Sequence, residues 1–264
     1  NHKVWLIAAD KNRSGTSNSS ILVSKGIFTV EQRYNTDFLK KYSIPGSPVD
    51  CVIFGLELMK ETRPHIIVSG INDGKNIGPG WFFSGTIGAA RTSSFFGIPA
   101  IAFSGIDHRK DFGIKEALFV INQFINKEFY KELPQGWYVT VTMPRKQIAS
   151  NIVLSDRTLF NNKSGLIIGG TITNNDSWKV KKIGIKKVKK NQYTFKIEKT
   201  NIPISQGDMY HYKNNSIIIT FMNVHEASMF GDYSDFHLKA KSFVNQLNID
   251  FNKKGKEAMQ LNPH

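Results

Sequence analysis

Short apolar runs alternate with helix-forming segments along the first 145 residues, and this alternation constrains the fold more than any other feature. Val4–Ala9 and residues 65–69 and 98–104 have the composition of buried strands. Each run is followed by a polar or glycine-rich loop, and a segment with helical spacing comes before the next run. A strand–helix–strand rhythm predicts an α/β fold with a mostly parallel sheet.

Further elements are predicted from caps and periodicity. Ser47, Pro48 and Asp50 form a helix start, since a serine cap and a first-turn proline favour one, and this helix is expected to reach Thr62. Residues 115–126 form an amphipathic helix with Ala117, Leu118, Ile121 and Ile125 on one face. Other strands are predicted at residues 21–23, 27–30, 137–143 and 216–222, and a final helix at 235–247.

The composition of the chain changes after about residue 145. Residues 151–178 are rich in Asn, Gly, Ser and Thr, which suggests hairpins. Residues 179–190 contain seven lysines in twelve positions, as a strand with a charged face or as an exposed arm. We therefore expect an α/β core over residues 1–145, and over 146–264 a β-rich extension with a final helix that belongs to the same domain.

Charge, cysteine content and hydropathy exclude some classes of protein for this chain. The 264 residues include 35 Lys and Arg against 21 Asp and Glu, a net charge of +14 that favours anionic partners, or is simply a solvated basic surface. Cys51 is the one cysteine, which excludes a disulfide framework and favours a reducing, cytoplasmic setting. No apolar run is long enough to span a membrane.

A glycine-rich loop at residues 69–85 is the strongest local signal of function. It joins a strand to a helix that begins near Ser84, Gly85 and Thr86. Backbone N–H groups at a helix N-terminus attract anions, and glycines let the backbone approach them closely. The loop therefore predicts phosphate binding, although it lacks the P-loop lysine. The alternative is an ordinary connection with Thr86 as the helix cap.

Oxygen-bearing side chains follow the buried strands predicted at Val4–Ala9 and at residues 65–69. Asp10, Ser14, Asn72 and Asp73 would all lie at the carboxyl edge of a parallel sheet, where ligands bind. Such oxygens suit a hard cation such as Mg²⁺ or Mn²⁺. Taken one at a time, each is more simply a turn residue that bonds to the local backbone.

Other chemistries have less support. Cys51 lies on the apolar side of its helix and reads as a core residue, and no Gly-x-Ser-x-Gly elbow is present. His108 could line a pocket, but a surface position is the simpler interpretation. The lysines of residues 179–190 could follow a nucleic-acid backbone, although a solubilising strand face is favoured over that reading.

Four ordered segments resemble the SurE family, the stationary-phase survival proteins. They are residues 9–15 (ADKNRSG), 46–52 (GSPVDCV), 69–78 (SGINDGKNIG) and 84–86 (SGT). The resemblance covers residues 4–104 well and is thinner beyond, where residues 141–144 and 178–184 look like later strands of the family.

The resemblance implies a metal-dependent nucleotidase, a phosphatase-type hydrolase that acts on 5′- or 3′-nucleoside monophosphates. It implies a Rossmann-like core with helices on both faces, and a C-terminal hairpin and helix over 146–264 that serve oligomerisation as a homodimer or homotetramer. It also implies Mg²⁺ or Mn²⁺ as cofactor. Ser14 and Asn72 match metal-ligand positions, and Asn76, Ser84, Gly85 and Thr86 match phosphate-binding positions. Metal-bound water would attack phosphorus, with Asn72 and Ser84 in catalytic roles.

One departure from the family pattern concerns the metal. SurE proteins begin with a strand that ends in Asn-Asp-Asp-Gly, whose aspartates are the main metal ligands, and this chain contains no Asp-Asp pair. We expect a preceding segment of roughly 25–30 residues whose strand lies in the middle of the sheet. The alternative is a non-catalytic phosphate- or RNA-binding family member that has lost the metal.

Overall fold

The computed structural model describes residues 2–22, 26–106, 113–144, 149–158, 167–172, 178–190, 192–224 and 234–255, with backbone alone for 167–172, 234 and 254–255. The helices are α1 Pro48–Leu58, α2 Gly85–Phe95, α3 Ile114–Asn126, α4 Gly207–Lys213 and α5 Ser234–Asp250. The strands are β1 Val4–Ala9, β2 Glu31–Asn35, β3 Leu39–Ile44, β4 Ile67–Asn72, β5 Ala100–Ser104, β6 Trp137–Thr142, β7 Ile152–Leu154, β8 Ile167–Ile172, β9 Trp178–Lys189, β10 Gln192–Ile202 and β11 Ile217–Asn223. Short 3-10 helices span Gly78–Phe83 and Phe129–Glu132, and a π turn spans Phe251–Gly255.

A five-stranded sheet in the order β4-β5-β6-β11-β7 forms the centre of the molecule. Its neighbouring strands are parallel except for β6 and β11. Alternate residues of β5 point to opposite faces, and Ile101 and Phe103 pack against α3 and α5. Ala102 on the other face packs against Ile87 of α2. The predicted α/β fold, with a mostly parallel sheet and helices on both faces, is confirmed.

A separate three-stranded sheet has the order β1-β3-β2, with β1 parallel to β3 and β2 antiparallel to it. The prediction of a strand at residues 27–30 was wrong, because the chain pairs with β3 only from Glu31 onward and Ile27 is exposed. The prediction that β1 is buried was also wrong. Val4 and Leu6 are about half exposed, since no element of the described chain covers their side of the strand.

The start of α1 was predicted correctly, but its end and the buried face of α3 were not. Ser47 caps α1 in a capping box with Asp50, as the sequence indicated, although α1 ends at Leu58 instead of Thr62. In α3 the buried side chains include Ala117, Val120 and Phe124. Leu118 is exposed, so the predicted apolar face is turned by about one residue.

The C-terminal extension contains the three-stranded antiparallel sheet β10-β9-β8. Trp178 and Val180 at the start of β9 are buried, whereas the far halves of β9 and β10 are exposed. The lysine-rich run is therefore an exposed arm with a buried base. Among the described residues, no helix is long and apolar enough to cross a membrane.

Candidate active site

The carboxyl ends of three parallel strands meet at one edge of the central sheet. Asn72 at the end of β4 pairs with Ser104 of β5, and Ser104 pairs with Thr142 of β6. The backbone N–H of Gly105 donates to the carbonyls of Asn72 (3.0 Å) and Gly74 (3.1 Å). These bonds fold the chain after β4 back over the strand ends, where parallel sheets bind ligands.

The loop that follows β4 delivers the N-terminus of α2 to this edge. Ser84 is the N-cap, and its Oγ accepts a hydrogen bond from the N–H of Ile87 at 3.3 Å, so the alternative of Thr86 as the cap was wrong. Gly85 leaves no room for a side chain, because a Cβ would lie 2.9 Å from Pro48 Cγ and 3.0 Å from Thr16 Oγ1. The Oγ of Ser69 donates to the carbonyl of Thr86 at 2.9 Å and ties α2 to β4.

The loop after β1 lies against this helix start. Ser17 bonds to the carbonyls of Phe82 and Phe83 through its Oγ (2.7 Å) and its N–H (3.1 Å). The carbonyl oxygen of Ser17 is so close to α2 that a Cβ on Gly88 would lie only 2.3 Å from it. The two loops that the sequence placed at one sheet edge are therefore in direct contact.

A buried carboxylate holds the loop after β1 in place. Asp50 is fully buried and accepts hydrogen bonds from Ser20 Oγ (2.5 Å) and from the N–H groups of Ile21 (2.9 Å) and Ser47 (2.7 Å). Burial by itself raises the pKa of the Asp50 carboxyl, but these bonds favour the charged form more strongly, so the pKa lies below its ordinary value.

Asn76 is the predicted phosphate residue with the most informative surroundings. It is 7% exposed, and its N–H donates to Ser104 Oγ at 3.2 Å. Its side-chain Nδ2 is buried and has no hydrogen-bond partner in the described part of the chain. A buried amide donor without a partner costs free energy, and such groups usually have a functional reason.

The predicted metal ligands do not make a cation site by themselves. No hydrogen bond joins exposed Ser14 to Asn72 in the described residues, and Asn72 Nδ2 donates to the carbonyl of Gly74 at 2.7 Å. Asp10 is paired with Arg13 at 2.9 Å, a hydrogen bond that lowers the pKa of the Asp10 carboxyl. The described residues hold no cluster of three or more His, Cys, Asp or Glu suited to a metal. Two neutral oxygens, from Ser14 and Asn72, do not fit Mg²⁺ or Mn²⁺ without carboxylates beside them.

An open slot with a volume of 1710 Å³ lies between the β1-β3-β2 sheet and the central sheet, beside the candidate site. Its walls are the edges of β1 and β4 that pair with no other described strand, together with side chains of α1 and α2. Helices α1 and α2 pack against each other, α1 against β1 and α2 against β4. The helix layer is thus continuous where the strand layer is interrupted, and the apolar side chains of Leu6 and Val68 remain about half exposed there.

Other candidate residues fall outside the site. His108 lies outside the described residues. Cys51 is buried in α1, and burial raises the pKa of its thiol to about 12, in agreement with its interpretation as a core residue. Sequence reasoning missed two residues, Arg157 and Asp208, which contact the glycine-rich loop. They lie 81 and 130 positions from their partners in that loop, and no local pattern connects them.

A family model described as "Survival protein SurE" matches residues 1–161, well over half of the chain. The chain belongs to the SurE family. The resemblance of the four segments to the SurE family is thereby confirmed, since all four lie within residues 1–161.

Curated relatives of this SurE chain agree with that assignment. A 5′-nucleotidase SurE of Vibrio campbellii is 35% identical over 145 residues, which is 54% of this chain and 52% of the relative. A 5′-nucleotidase SurE of Thermoanaerobacter pseudethanolicus is 35% identical over 143 residues, 54% of this chain and 56% of the relative. The chain therefore spans about half the length of the curated relatives it matches.

The fold has a solved counterpart. The crystal structure of the SurE protein from Aquifex aeolicus superposes with a TM-score of 0.61 at 21% identity and covers 88% of this chain and 87% of that one. At this identity the likeness supports the fold alone, and its coverage reaches beyond residues 1–161, the segment that the family model matches.

Proposed function

We propose that the protein is a phosphomonoesterase that hydrolyses nucleoside monophosphates, with the phosphate bound at the N-terminus of α2. The unpartnered, buried Nδ2 of Asn76 at the carboxyl edge of the sheet is the observation that carries this proposal. The names of the curated relatives, 5′-nucleotidase SurE, support the reaction class. Whether the ester is 5′ or 3′ depends on contacts with the nucleoside.

Hydrogen-bond donors of this chain would stabilise the negative charge of the phosphate. The hydroxyl hydrogen of Ser84 is available, because its Oγ serves the cap as an acceptor. Together with the positive end of α2 and the amide of Asn76, it would bind the phosphoryl oxygens. Hydrolysis replaces the ester oxygen on phosphorus with a water oxygen, and donors fixed in advance stabilise the charge in the transition state. Gly85 and Thr86 position these donors, and Asn72 borders the reacting group.

A divalent cation needs several carboxylates together, and the described residues hold no such cluster, since Asp10 is paired with Arg13. We propose that a further strand fills the slot in the active protein, parallel to β1 and β4, and brings the aspartates of an Asn-Asp-Asp-Gly end to the site. The loop after β1 bonds to the loop after β4, so the carboxyl ends of both strands lie on one side. A parallel strand between them would end beside Ser14 and Asn72.

A test of the phosphate site uses Asn76→Leu, which replaces the side-chain amide with an apolar group of similar size. If Nδ2 is kept for a ligand, the variant binds adenosine 5′-monophosphate at least tenfold more weakly in calorimetry while its urea midpoint stays equal or rises. Adenosine without phosphate is the control ligand, and its binding should not change. A lower midpoint with unchanged nucleotide binding would mean that Asn76 is structural, and the proposal would fail.

The exposed arm supports the predicted oligomer more than the alternative of RNA binding. Cross-strand pairing puts Ile183 and Ile197, and Ile185 and Phe195, on one face, where Ile185 is 62% and Phe195 73% exposed. We propose that a second copy of the chain covers this face, since exposed apolar rows of this kind mark interaction surfaces. Lys181 shares that face and Lys182 lies on the other, so the lysines form no single basic track. Phe195→Ser should lower the mass measured by light scattering.

A cytoplasmic setting stays a prediction.

A further inference from the structure

The glycine-rich loop is fixed by two charged residues that come from the C-terminal half of the chain. Asp208, in the first turn of α4, is fully buried. Its carboxylate accepts the N–H of Gly78 through both oxygens (3.1 and 3.0 Å) and the N–H of Thr158 at 2.9 Å. A carboxylate that accepts from the loop in this way fixes the direction of the chain two residues after Asn76.

Arg157 connects that carboxylate to Asn76 itself. Its side chain is 6% exposed, and Nη1 donates to Asp208 Oδ2 at 3.0 Å and to the carbonyl of Asn76 at 2.6 Å. Nη2 donates to Thr140 Oγ1 on β6, so the guanidinium is held on two sides. The backbone of Asn76 is therefore fixed at its carbonyl by Arg157 and at its N–H by Ser104.

The packing around this pair leaves the loop little freedom. Gly78 has a φ of +53°, and a Cβ there would lie 2.4 Å from Met209 Sδ. Ile77 is buried with Trp178, Val180 and Met209 of the extension. The loop around Asn76 is thus seated on residues that lie beyond the matched segment, 1–161.

We propose that Arg157 and Asp208 are positioning residues that orient the side chain of Asn76 for phosphate, so that the site depends on the C-terminal extension. This inference rests on the proposed function for its ligand but not for its geometry. The pair does not touch substrate. It acts through the backbone of Asn76 and Gly78, and its removal should change the ligand-free state of the Asn76 amide as well as the affinity for phosphate.

The experiment follows the side-chain amide of Asn76 by ¹⁵N NMR in the whole protein while inorganic phosphate is added. The cross-peak is identified by its loss in Asn76→Asp. Arg157→Lys keeps a charge beside Asp208 but cannot donate to three acceptors in the same fork geometry. Asp208→Asn removes the charge and half of the acceptor capacity. Val120→Ala, in the core on α3 and away from the loop, is the control for loss of stability alone.

We expect Arg157→Lys and Asp208→Asn to shift the Asn76 cross-peak without ligand and to raise the phosphate dissociation constant about tenfold. Val120→Ala should do neither. If both variants fold and leave the cross-peak and the affinity as in the parent, the inference is wrong. Should Asp208→Asn not fold, Arg157→Lys decides alone. If the parent binds no phosphate, the proposed phosphate site fails, while the ligand-free shift still tests the positioning role.

Discussion

The hydroxyl of Ser17 donates to the carbonyl of Phe82 at 2.7 Å, across 65 positions of sequence. This bond joins the loop after β1 to the loop after β4, on opposite sides of the slot between the two sheets. It brings the predicted metal-binding segment and the predicted phosphate-binding segment to one edge. The bond matters for the site because Ser14 follows a strand of one sheet, β1, whereas Ser84 lies in the connection after a strand of another sheet, β4.

Removal of the Ser84 hydroxyl should weaken phosphate binding. Ser84→Ala and Ser84→Gly both lose the donor, and we expect each to lower the affinity for inorganic phosphate about fivefold in calorimetry. The loss of the cap costs about 1 kcal/mol for Ala and a few tenths for Gly. The two effects are therefore separable. If only the Ala variant bound more weakly, capping would explain the result and the hydroxyl would not be a ligand.

Asp50→Asn should destabilise the protein in a pH-dependent way. The pKa of Asp50 is lowered in the folded state, so its contribution is complete above the unfolded value of 3.8 and is lost as the pH falls through the lower folded value. We expect the variant to lose about 2 kcal/mol at neutral pH in urea unfolding, and the difference from the parent to shrink at acid pH. Glu61→Gln, at an exposed site, is the control and should change neither. A difference that is constant with pH would contradict the assignment.

A carboxylate at position 72 should improve cation binding. Asn72→Asp adds the type of ligand that the described donor set lacks, and we expect the Mn²⁺ dissociation constant to fall by roughly one order of magnitude in titration calorimetry. Asn126→Asp adds the same charge at the far end of α3 and serves as the control. Equal Mn²⁺ affinities of the two variants would show that Asn72 does not face the cation.

Cys51 should be nearly inert in the folded protein. Burial raises the pKa of its thiol to about 12, so at pH 8 the thiolate fraction is roughly a thousandfold below that of an ordinary cysteine. Ellman's reagent should label it slowly in buffer and stoichiometrically in guanidinium chloride. Fast labelling of the folded protein would mean that the slot exposes the thiol.

The α/β core and its loops were predictable because their signals are local. The Ser47 cap, the Pro48 start and the Ser84 segment depend on neighbours within a few residues, and the structure has helices at these places. The apolar runs were enough to place β4, β5, β6 and β11, but not β7, which lies in a segment expected to form hairpins and pairs instead with β11 in the central sheet. β3 was missed because its residues, Leu39–Ile44, carry two lysines and lie close to the helix start, so no buried run marks it.

The long-range parts of the site were not predictable from one sequence. Asp208 looks like an ordinary first-turn acid, and Arg157 stands in a segment without periodicity. Their importance arises from bonds to the backbone of the glycine-rich loop, which only the fold creates. The turned face of α3 has a similar cause, because the sheet that it covers, and not its own sequence, decides whether Val120 or Leu118 is buried.

The proposed nucleotidase activity would require carboxylates on a strand in the slot between β1 and β4. The most direct measurement fuses a βα unit, whose strand ends in Asn-Asp-Asp-Gly, ahead of this chain and follows phosphate release from nucleoside monophosphates with Mn²⁺ and with EDTA. A matched fusion ends in Asn-Asn-Asn-Gly. We expect both fusions to raise the melting temperature, and only the aspartate fusion to hydrolyse substrate, with loss of activity in EDTA. Equal hydrolysis by the two fusions, or none by either although both are stabilised, would contradict the account.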